Sequence, residues 1–233
     1  MLTLSRSLKP IADWRIVGAT SVLSFTFGVA CALIVKAFGD WHLGLPAERA
    51  FMLWLHDWEL PELASTALLL IPWLGTNPVL MPVTTLAALH LWRRRRPDLA
   101  VHLLVVNLLV LFDNWALKHL FDRDRPELFE RVGWFGWASY PSGHAMASIA
   151  VLGTYALLLY RERGWRWPAY VAAAIAIANA YGRMYHGVHW PTDVAAGIGV
   201  GLIVLVGTAI GFGPEARTRV GAMRAELSTT RVA

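Results

Sequence analysis

Long runs of apolar residues, separated by short polar segments, dominate the pattern along the chain. A helix needs about 20 mostly apolar residues to cross the hydrocarbon core of a bilayer. Five runs have about this length, at residues 16–35, 99–120, 143–160, 167–185 and 192–212. The pattern therefore predicts at least five membrane-spanning helices.

Two further segments complete the predicted architecture. Residues 63–92 form an apolar stretch that is longer than one span and is interrupted at residues 75–78 (Gly-Thr-Asn-Pro). We expect a short outer segment ending at Trp73, followed by a crossing from about Pro78 to Trp92. Residues 46–58 mix polar with bulky apolar side chains, which is typical of a helix lying at the membrane interface. The prediction is an all-α fold, a bundle of six transmembrane helices with an outer interfacial helix between spans 1 and 2.

Composition agrees with this pattern and narrows the class of protein. The chain has 233 residues, of which 56% are hydrophobic and 16% are charged, with a mean hydropathy of +0.47. Soluble domains carry about 25% charged residues, and disordered chains need low hydrophobicity, so the numbers exclude both classes. A single cysteine, Cys31, excludes an internal disulfide framework and any multi-cysteine metal site.

The positive residues predict the orientation of the spans. If both termini are cytoplasmic, the inner segments are residues 1–15, 93–98, 161–166 and 213–233. These segments hold 14 of the 21 Lys and Arg residues, namely Arg6, Lys9, Arg15, Arg93, Arg94, Arg95, Arg96, Arg161, Arg163, Arg166, Arg217, Arg219, Arg224 and Arg231. An excess of Lys and Arg in cytoplasmic loops is the usual rule. The net charge of +5 is therefore a topology signal and requires no nucleic-acid partner.

This topology divides the chain into three parts. We expect a cytoplasmic N-terminus at residues 1–15, a six-span membrane domain at 16–212 and a cytoplasmic tail at 213–233. A cleaved signal peptide is the alternative for the first span, because Ala30-Cys31-Ala32 resembles a cleavage site. The apolar run is longer than a usual signal core, and Gly28 stands where a lipoprotein signal normally has leucine. Both features favour a retained span.

Polar and ionisable residues gather at the outer ends of spans three to six. Each has an ordinary explanation alone: a cation at a span end can snorkel, a histidine at a helix start can bond to backbone, and an aspartate can favour the helix dipole. Ionisable residues near hydrocarbon are costly, however, and four helices bring these to one level. The residues are Lys118, Arg123, Arg125, Ser142, Gly143, His144, Arg183, His189 and Asp193.

The chemistry of this set fits an anion with several oxygens. The arginine fork matches phosphate oxygens and lysine adds a point charge. Residues 141–144 head a predicted helix, whose free amide hydrogens attract phosphate. A metal site at His186, His189 and Asp193 is the alternative, but three neighbouring cations oppose a dication.

Two histidines and a carboxylate suggest how such an anion would react. His189 and Asp193 are four residues apart, so the carboxylate can accept from one imidazole nitrogen and leave the other free to attack. A histidine held in this way can act as a nucleophile, and His144 can protonate the leaving oxygen.

Three motifs carry a resemblance to a known family. Lys118-x6-Arg125-Pro126, Pro141-Ser142-Gly143-His144 and Arg183-x5-His189-x3-Asp193 resemble the signature of the type 2 phosphatidic acid phosphatase superfamily. That superfamily also includes vanadium haloperoxidases. The signature spans residues 118–193, and the six-span plan resembles its membrane branch. One departure is Gly182, where the family often has serine, which puts a hydroxyl contact in doubt.

The resemblance implies a role for each motif residue. His189 would attack phosphorus and form a phosphohistidine, Asp193 would orient it, and His144 would protonate the leaving group. The phosphate oxygens would be held by Lys118, Arg125, Ser142, Gly143 and Arg183. The membrane enzymes of the family work without a metal, so the resemblance implies no cofactor. With the predicted topology, the site would face the periplasm or the exterior.

The resemblance also implies a lipid substrate and leaves its identity open. The candidates are undecaprenyl pyrophosphate, ranked first, then phosphatidylglycerophosphate, phosphatidic acid and lipid A phosphate. The polybasic inner loops and the lack of organelle signals favour a bacterial inner membrane. Aromatic residues in the loop 127–140 are expected either to lean into the lipid boundary over the site or to belong to an interfacial belt, namely Phe129, Trp134, Phe135 and Trp137.

Two other functional classes stay open at this point. A transporter would also concentrate charge in the membrane, although near the midplane and often within internal repeats, neither of which the sequence shows. A haloperoxidase would use the same pocket for vanadate, but those proteins are soluble. The partners implied are a membrane lipid and the bilayer, and the sequence leaves homo-oligomerisation undetermined.

Overall fold

The computed structural model describes residues 11–133, 135–214 and 218, and this part of the chain is helical with no strand. The helices, in chain order, are α1 (Trp14–Phe38), α2 (Pro46–His56), α3 (Glu62–Leu70), α4 (Asn77–Arg93), α5 (Pro97–Phe121), α6 (Gly143–Ala147), α7 (Gly153–Arg163), α8 (Trp167–Tyr185) and α9 (Pro191–Gly211). A 3₁₀ turn at Ile71–Gly75 follows α3, and a π-helical turn at Ser148–Leu152 joins α6 to α7.

Four continuous helical stretches in the described residues are long and apolar enough to cross a membrane. They are α1, α5, the α6–α7 stretch Gly143–Arg163, and α9. A fifth arises if the segments Glu62–Gly75 and Asn77–Arg93, which are bent by 47°, form one span. The all-helical membrane architecture is thereby confirmed. Helix α8 matches the predicted fifth span but does not meet the same test, so the count of six stays a prediction.

The break in the second apolar stretch lies where the sequence predicts it. Pro72 lies within the 3₁₀ turn and Pro78 in the first turn of α4. Proline has no backbone N–H and is favoured in the first turn of a helix, so the chain stops one helix and starts another here. Gly75 packs closely on the bundle, because a Cβ there would lie 3.1 Å from the Asn179 amide nitrogen. The break thus brings Gly75 against α8.

Close packing of α6 on α9 aligns the starts of these two helices. A Cβ on Gly197 would lie 2.5 Å from the Ser142 carbonyl oxygen, and one on Gly201 would lie 2.8 Å from that of Met146. Small residues allow such close approach of helix backbones in membranes. The Ser142 amide then donates to the Asp193 carbonyl at 3.0 Å. Two of the predicted motifs are therefore joined through their backbones.

The apolar core of the bundle lies where α4, α5, α6 and α9 meet. Its buried members are Leu80, Val106, Val110, Met146, Ala147, Ala150, Val151, Val200 and Val204. Val110 also borders the cavity described below. The cavity therefore borders the apolar core of the bundle.

Helix α2 and the loop between α5 and α6 cover this end of the bundle. The loop is tied down at several points: the Ser139 amide donates to the Arg123 carbonyl at 2.7 Å, and the Tyr140 hydroxyl donates to the Gly28 carbonyl of α1 at 2.5 Å. A helix does form at the predicted outer segment, as Pro46–His56. Its placement at the membrane interface stays a prediction.

The described aromatic residues of this loop differ in their contacts. Phe129 stacks on His56 of α2 with ring centroids 3.8 Å apart, and Phe135 packs under the Arg125 guanidinium. Trp137 is 56% exposed, as expected for a residue at the lipid boundary. Phe129 and Phe135 are half-buried, and the place of these rings at the lipid boundary or in an interfacial belt stays a prediction.

Some predicted features lie outside the described residues. They are Trp134 and the basic residues Arg6, Lys9, Arg217, Arg219, Arg224 and Arg231, and with these the ends of the segments 1–15 and 213–233.

Candidate active site

A cavity of about 190 Å³ lies at the end of the bundle where α5 and α8 stop and α6 begins. Six of the eight predicted site residues line it, namely Lys118, Arg125, Gly143, His144, Arg183 and His189. The other two, Ser142 and Asp193, are fully buried. The structure therefore brings the three motifs together around one cavity.

Backbone carbonyls hold the cations of this cavity. Lys118 Nζ donates to the Ala138 carbonyl at 2.6 Å. The Arg125 guanidinium donates to the carbonyls of Gly136 and Ala138, both at 2.8 Å, and to that of Val188. In the described part of the chain, no carboxylate lies within 4 Å of Lys118 or Arg125. Their charge is oriented by dipoles and stays available to an anion.

Burial does not remove the charge of Arg125. It lowers the pKa of this guanidinium to about 10, against the opposing influence of Asp193. The group is thus protonated at neutral pH. A buried cation without an adjacent carboxylate is a feature of sites that bind an anionic ligand.

Arg183 enters the cavity wall from the last turn of α8, and its neighbour Gly182 explains the departure from the family pattern. A Cβ on Gly182 would lie 2.9 Å from the Leu68 carbonyl oxygen of α3. A serine at this position would collide with the α3 backbone. The missing hydroxyl therefore accompanies close packing of α3 on α8.

His189 lies in the short turn between α8 and α9. Its amide donates to the Arg183 carbonyl at 3.2 Å, which places two cavity residues in one backbone turn. The side chain is 2% exposed. Burial, and then the charges of Arg125, Arg183 and Lys118, hold the pKa of His189 well below 6.5. The imidazole is therefore neutral at neutral pH and keeps a free lone pair.

Asp193 lies behind His189, but the direct hydrogen bond predicted between them is not made. The distance from His189 Nδ1 to Asp193 Oδ2 is 3.6 Å. Ser139 stands beside both: its hydroxyl donates to Asp193 Oδ2 at 2.5 Å and lies 3.5 Å from His189 Nδ1. The prediction was correct on proximity and wrong on contact, because a loop residue bridges the pair.

The start of α6 presents His144 and a close backbone to the cavity. The Ser142 side chain makes no capping bond, and its hydroxyl oxygen has no hydrogen-bond partner among the described residues. A Cβ on Gly143 would lie 2.8 Å from the Asn114 side-chain oxygen. Glycine at this position therefore lets Asn114 of α5 approach, and Asn114 joins Thr76 and Asn77 as neutral polar members of the lining.

Three residues close to the site had no role in the sequence prediction. They are Arg123, which the sequence marks only as an outer cation, Glu48 and Ser139. A signal existed for Glu48, because it falls at helical spacing with Met52 and Leu55, the other buried positions of α2. A carboxylate on the buried face of a short helix requires a partner.

The alternative metal site at His186, His189 and Asp193 is not assembled. Within the described residues, no group of three His, Cys, Asp or Glu side chains is arranged to hold a metal ion.

The fold, the motifs and the cavity define an all-helical membrane protein with a cation-lined site. Comparison with known proteins identifies its family. The profile of the PAP2 superfamily matches residues 98–214, which is half of the chain and contains all three motifs. The chain belongs to the PAP2 superfamily.

Individual relatives are similar over parts of their length. "Putative undecaprenyl-diphosphatase YbjG" of Escherichia coli is 31% identical over 134 residues, which is 53% of this chain and 64% of the relative. Phosphatidylglycerophosphatase B of Bacillus subtilis is 30% identical over 137 residues, 56% of this chain and 66% of the relative. A lipid A 1-phosphatase of Rhizobium johnstonii is 35% identical over 105 residues, 41% of each chain. The chain thus spans less than two thirds of each of these relatives.

A solved structure supports the fold. The crystal structure of the first transmembrane PAP2 type phosphatidylglycerolphosphate phosphatase, from Bacillus subtilis, superimposes with a TM-score of 0.67. The match covers 81% of this chain and 94% of that one at 24% identity.

Proposed function

We propose that the chain is a membrane lipid phosphatase that works through a phosphohistidine and needs no metal ion. The observation that carries the proposal is a neutral His189 beside Lys118, Arg125 and Arg183 in one small cavity. A neutral imidazole is a nucleophile, and clustered cations stabilise the charge that develops on a transferring phosphoryl group.

The phosphate of the substrate binds among the three cations and the start of α6. Arginine forks pair with its oxygens, and the Gly143 amide together with the Ser142 hydroxyl supplies neutral donors. The unpartnered Ser142 oxygen and the close approach allowed by Gly143 support this arrangement. These groups hold the phosphorus in line for attack.

The reaction proceeds in two steps. In the first, His144 takes up a proton when the anionic phosphate binds beside it, His189 Nε2 attacks phosphorus, the bond from phosphorus to the leaving oxygen breaks, and His144 gives this proton to that oxygen. In the second, water attacks the phosphohistidine, His144 takes a proton from the water, and the bond from phosphorus to Nε2 breaks. Inorganic phosphate leaves and both histidines return to their starting states.

The size of the cavity favours a substrate whose tail stays outside. A volume of about 190 Å³ is below the roughly 300–1,000 Å³ of pockets that enclose drug-sized ligands. It suits a phosphate or pyrophosphate head group, with the lipid chains left in the bilayer. Undecaprenyl pyrophosphate, cleaved to undecaprenyl phosphate, ranks first, and the similarity to YbjG supports it. Phosphatidylglycerophosphate and lipid A phosphate are alternatives that one named relative each supports, and phosphatidic acid is a third alternative.

We propose the same orientation that the charge pattern predicts. Residues 16–212 form the membrane domain, both termini are cytoplasmic, and the cavity faces the periplasm of a bacterial inner membrane. The cluster Arg93, Arg94, Arg95 and Arg96 after α4 supports this assignment, because it lies at the opposite end of α5 from the cavity residue Lys118.

A substrate panel tests the proposal. The purified protein in mixed micelles with EDTA is given C55 pyrophosphate, phosphatidylglycerophosphate, phosphatidic acid or lipid A, and phosphate release is measured. We expect turnover of at least one lipid by the wild-type protein and none by His189→Ala. A wild-type protein that releases no phosphate from any of them would contradict the proposal and favour a transporter. Halide oxidation with added vanadate separates the haloperoxidase alternative.

A further inference from the structure

Arg123 is a fully buried cation that does not line the cavity. Its guanidinium lies between two indole rings, 4.8 Å from the Trp41 centroid and 5.4 Å from the Trp190 centroid. Its Nε donates to the Trp41 carbonyl at 3.0 Å. Aromatic faces and a carbonyl hold the plane of the group in one orientation, so the direction of its remaining donors is defined.

Two carboxylates from different helices receive those donors. Arg123 Nη2 donates to Glu48 Oε2 of α2 at 2.9 Å, and Nη1 donates to Asp193 Oδ1 of α9 at 2.7 Å. The same Nη1 donates to the Thr192 hydroxyl at 2.7 Å. The guanidinium thus joins an aspartate of the candidate site to helix α2.

Glu48 is as firmly held as the arginine it contacts. Its Oε1 accepts from the Thr192 amide at 3.0 Å and from the Thr192 hydroxyl at 2.6 Å, and its Oε2 also accepts from the Leu45 amide. Burial raises the pKa of Glu48, but the Arg123 charge and these hydrogen bonds outweigh it, so the pKa lies below its ordinary value. The carboxylate is ionised at neutral pH and orients Arg123.

Hydrogen bonds to both carboxylate oxygens fix the orientation of Asp193 relative to His189. Oδ1 accepts a hydrogen bond from Arg123 Nη1, while Oδ2 accepts from the Ser139 hydroxyl at 2.5 Å and from the Trp190 amide at 2.9 Å. The Ser139 hydroxyl donates its hydrogen bond to Asp193, so its oxygen is free to accept one from His189 Nδ1. A chain from Nδ1–H through Ser139 to the carboxylate leaves Nε2 without a proton.

We propose that Glu48, Arg123 and Ser139 are positioning residues that hold Asp193 and, through it, the proton on His189 Nδ1. This inference rests on the proposed phosphatase function, in which His189 is the nucleophile. Helix α2, which contributes no residue to the cavity lining, is on this view a working part of the site. Lysine cannot replace Arg123, because a single ammonium cannot reach both carboxylates and the Trp41 carbonyl with the geometry of the fork.

The first test separates positioning from binding. The variants are Arg123→Lys, Glu48→Gln and Ser139→Ala, and the matched control is Asp124→Asn, an exposed carboxylate in the same loop that pairs with His42 at 2.8 Å. Turnover in micelles of the lipid that the wild-type protein hydrolyses fastest in the substrate panel gives kcat and KM, and orthovanadate inhibition reports the anion pocket. We expect kcat to fall about 10- to 100-fold in the three variants. KM and vanadate inhibition stay near wild type, since none of the three touches the phosphate, and Asp124→Asn behaves as wild type.

The second test does not depend on turnover. Protein labelled with ¹⁵N-histidine is compared with and without Arg123→Lys or Ser139→Ala, and the spectrum of His189→Gln assigns the His189 ring. We expect one tautomer in the wild type, with the proton on Nδ1, and a mixture in the variants. Thermal unfolding checks that each variant is folded. If Arg123→Lys does not fold, Glu48→Gln replaces it in the kinetic measurements.

The outcomes distinguish the proposed phosphatase function from the proposed positioning network. A wild-type protein that hydrolyses no lipid phosphate but shows the tautomer change overturns the function and supports the positioning network. Unchanged kcat together with an unchanged His189 tautomer in folded variants overturns the network alone. A parallel rise in KM and in the vanadate inhibition constant also overturns it, because the residues would then act in anion binding.

Discussion

Arg123 and Arg125 are two residues apart in one loop, both are buried, and they are held in opposite ways. Arg123 contacts two carboxylates, Glu48 and Asp193, within 3 Å. Arg125 contacts three backbone carbonyls, and its pocket-facing side lines the cavity. The difference teaches that burial alone does not identify a ligand-binding cation. The identity of its partners does, because a carboxylate neutralises the charge and a carbonyl only orients it.

The same distinction separates two clusters of the molecule. The paired cluster consists of Glu48, Arg123 and Asp193, in which one cation pairs with two carboxylates inside the protein. The open cluster consists of Lys118, Arg125 and Arg183, whose charge faces the cavity. We expect changes in the open cluster to affect catalysis, whereas changes in the paired cluster affect both stability and catalysis.

The largest effect is expected at the residue that lies between the clusters. His189→Ala should remove turnover by about 10⁴-fold or more, because the nucleophile is lost, while the protein stays folded. Phosphate release and thermal unfolding measure the two. His119→Ala, which alters an exposed histidine of the same bundle end, is the control. Comparable losses in both variants would contradict the assignment of His189.

Arg183→Ala tests the open cluster. Turnover should fall about 10²- to 10³-fold on every phospholipid tested, because a contact with the developing phosphoryl charge is removed and no contact with the tail. Arg131→Ala is the control, since Arg131 stacks on Phe135 at 5.2 Å and is absent from the cavity lining. A loss confined to one lipid would assign Arg183 to tail or head-group selection instead.

Stability compares the clusters directly. Arg123→Met leaves two buried carboxylates without their cation and should lower the free energy of unfolding by about 3–5 kcal/mol. Arg125→Met removes donors from carbonyls, which are neutral, and should cost less. Unfolding of both variants in the same detergent measures the difference. An equal loss would show that the carbonyl contacts are as important to the fold as the ion pairs.

The smallest effect is a shift in the proton affinity of His189. Burial and then the cations of the open cluster hold its pKa well below 6.5, so its imidazole takes up a proton only as the pH falls well under that value. Removing one cation by Arg125→Ala should move the pKa upward toward 6.5, and adding orthovanadate should act in the same direction. A ¹⁵N titration of the assigned ring measures both. A downward shift would contradict the electrostatic account.

Most of the helices and most of the cavity could be predicted because their signals are local. Apolar runs define α1, α5 and α9 to within a few residues, and the prolines near Gly75 mark the break before α4. The motif residues come to one level because each lies at the end of a span. The positions of the helix ends are therefore what made the site predictable from the sequence.

The paired cluster could not be predicted, because its contacts join distant parts of the chain. Glu48 and Arg123 are separated by 75 positions, and neither lies at a motif spacing. The place of Ser139 between His189 and Asp193 depends on the path of a loop without regular structure. Such contacts depend on how distant segments pack together. The sequence indicates them only through Glu48, whose carboxylate falls on the buried face of α2.

The glycines of α9 have a consequence for how this site tolerates change. His144 and His189 belong to different segments, and the gap between those segments is closed by backbone atoms that meet where Gly197 and Gly201 have no side chain. A methyl group added at either position would push α6 away from α9, and so would change the distance between the proposed proton donor His144 and the proposed nucleophile His189. The alignment of the proposed catalytic histidines thus depends on two positions of α9 that carry no side chain and do not line the cavity.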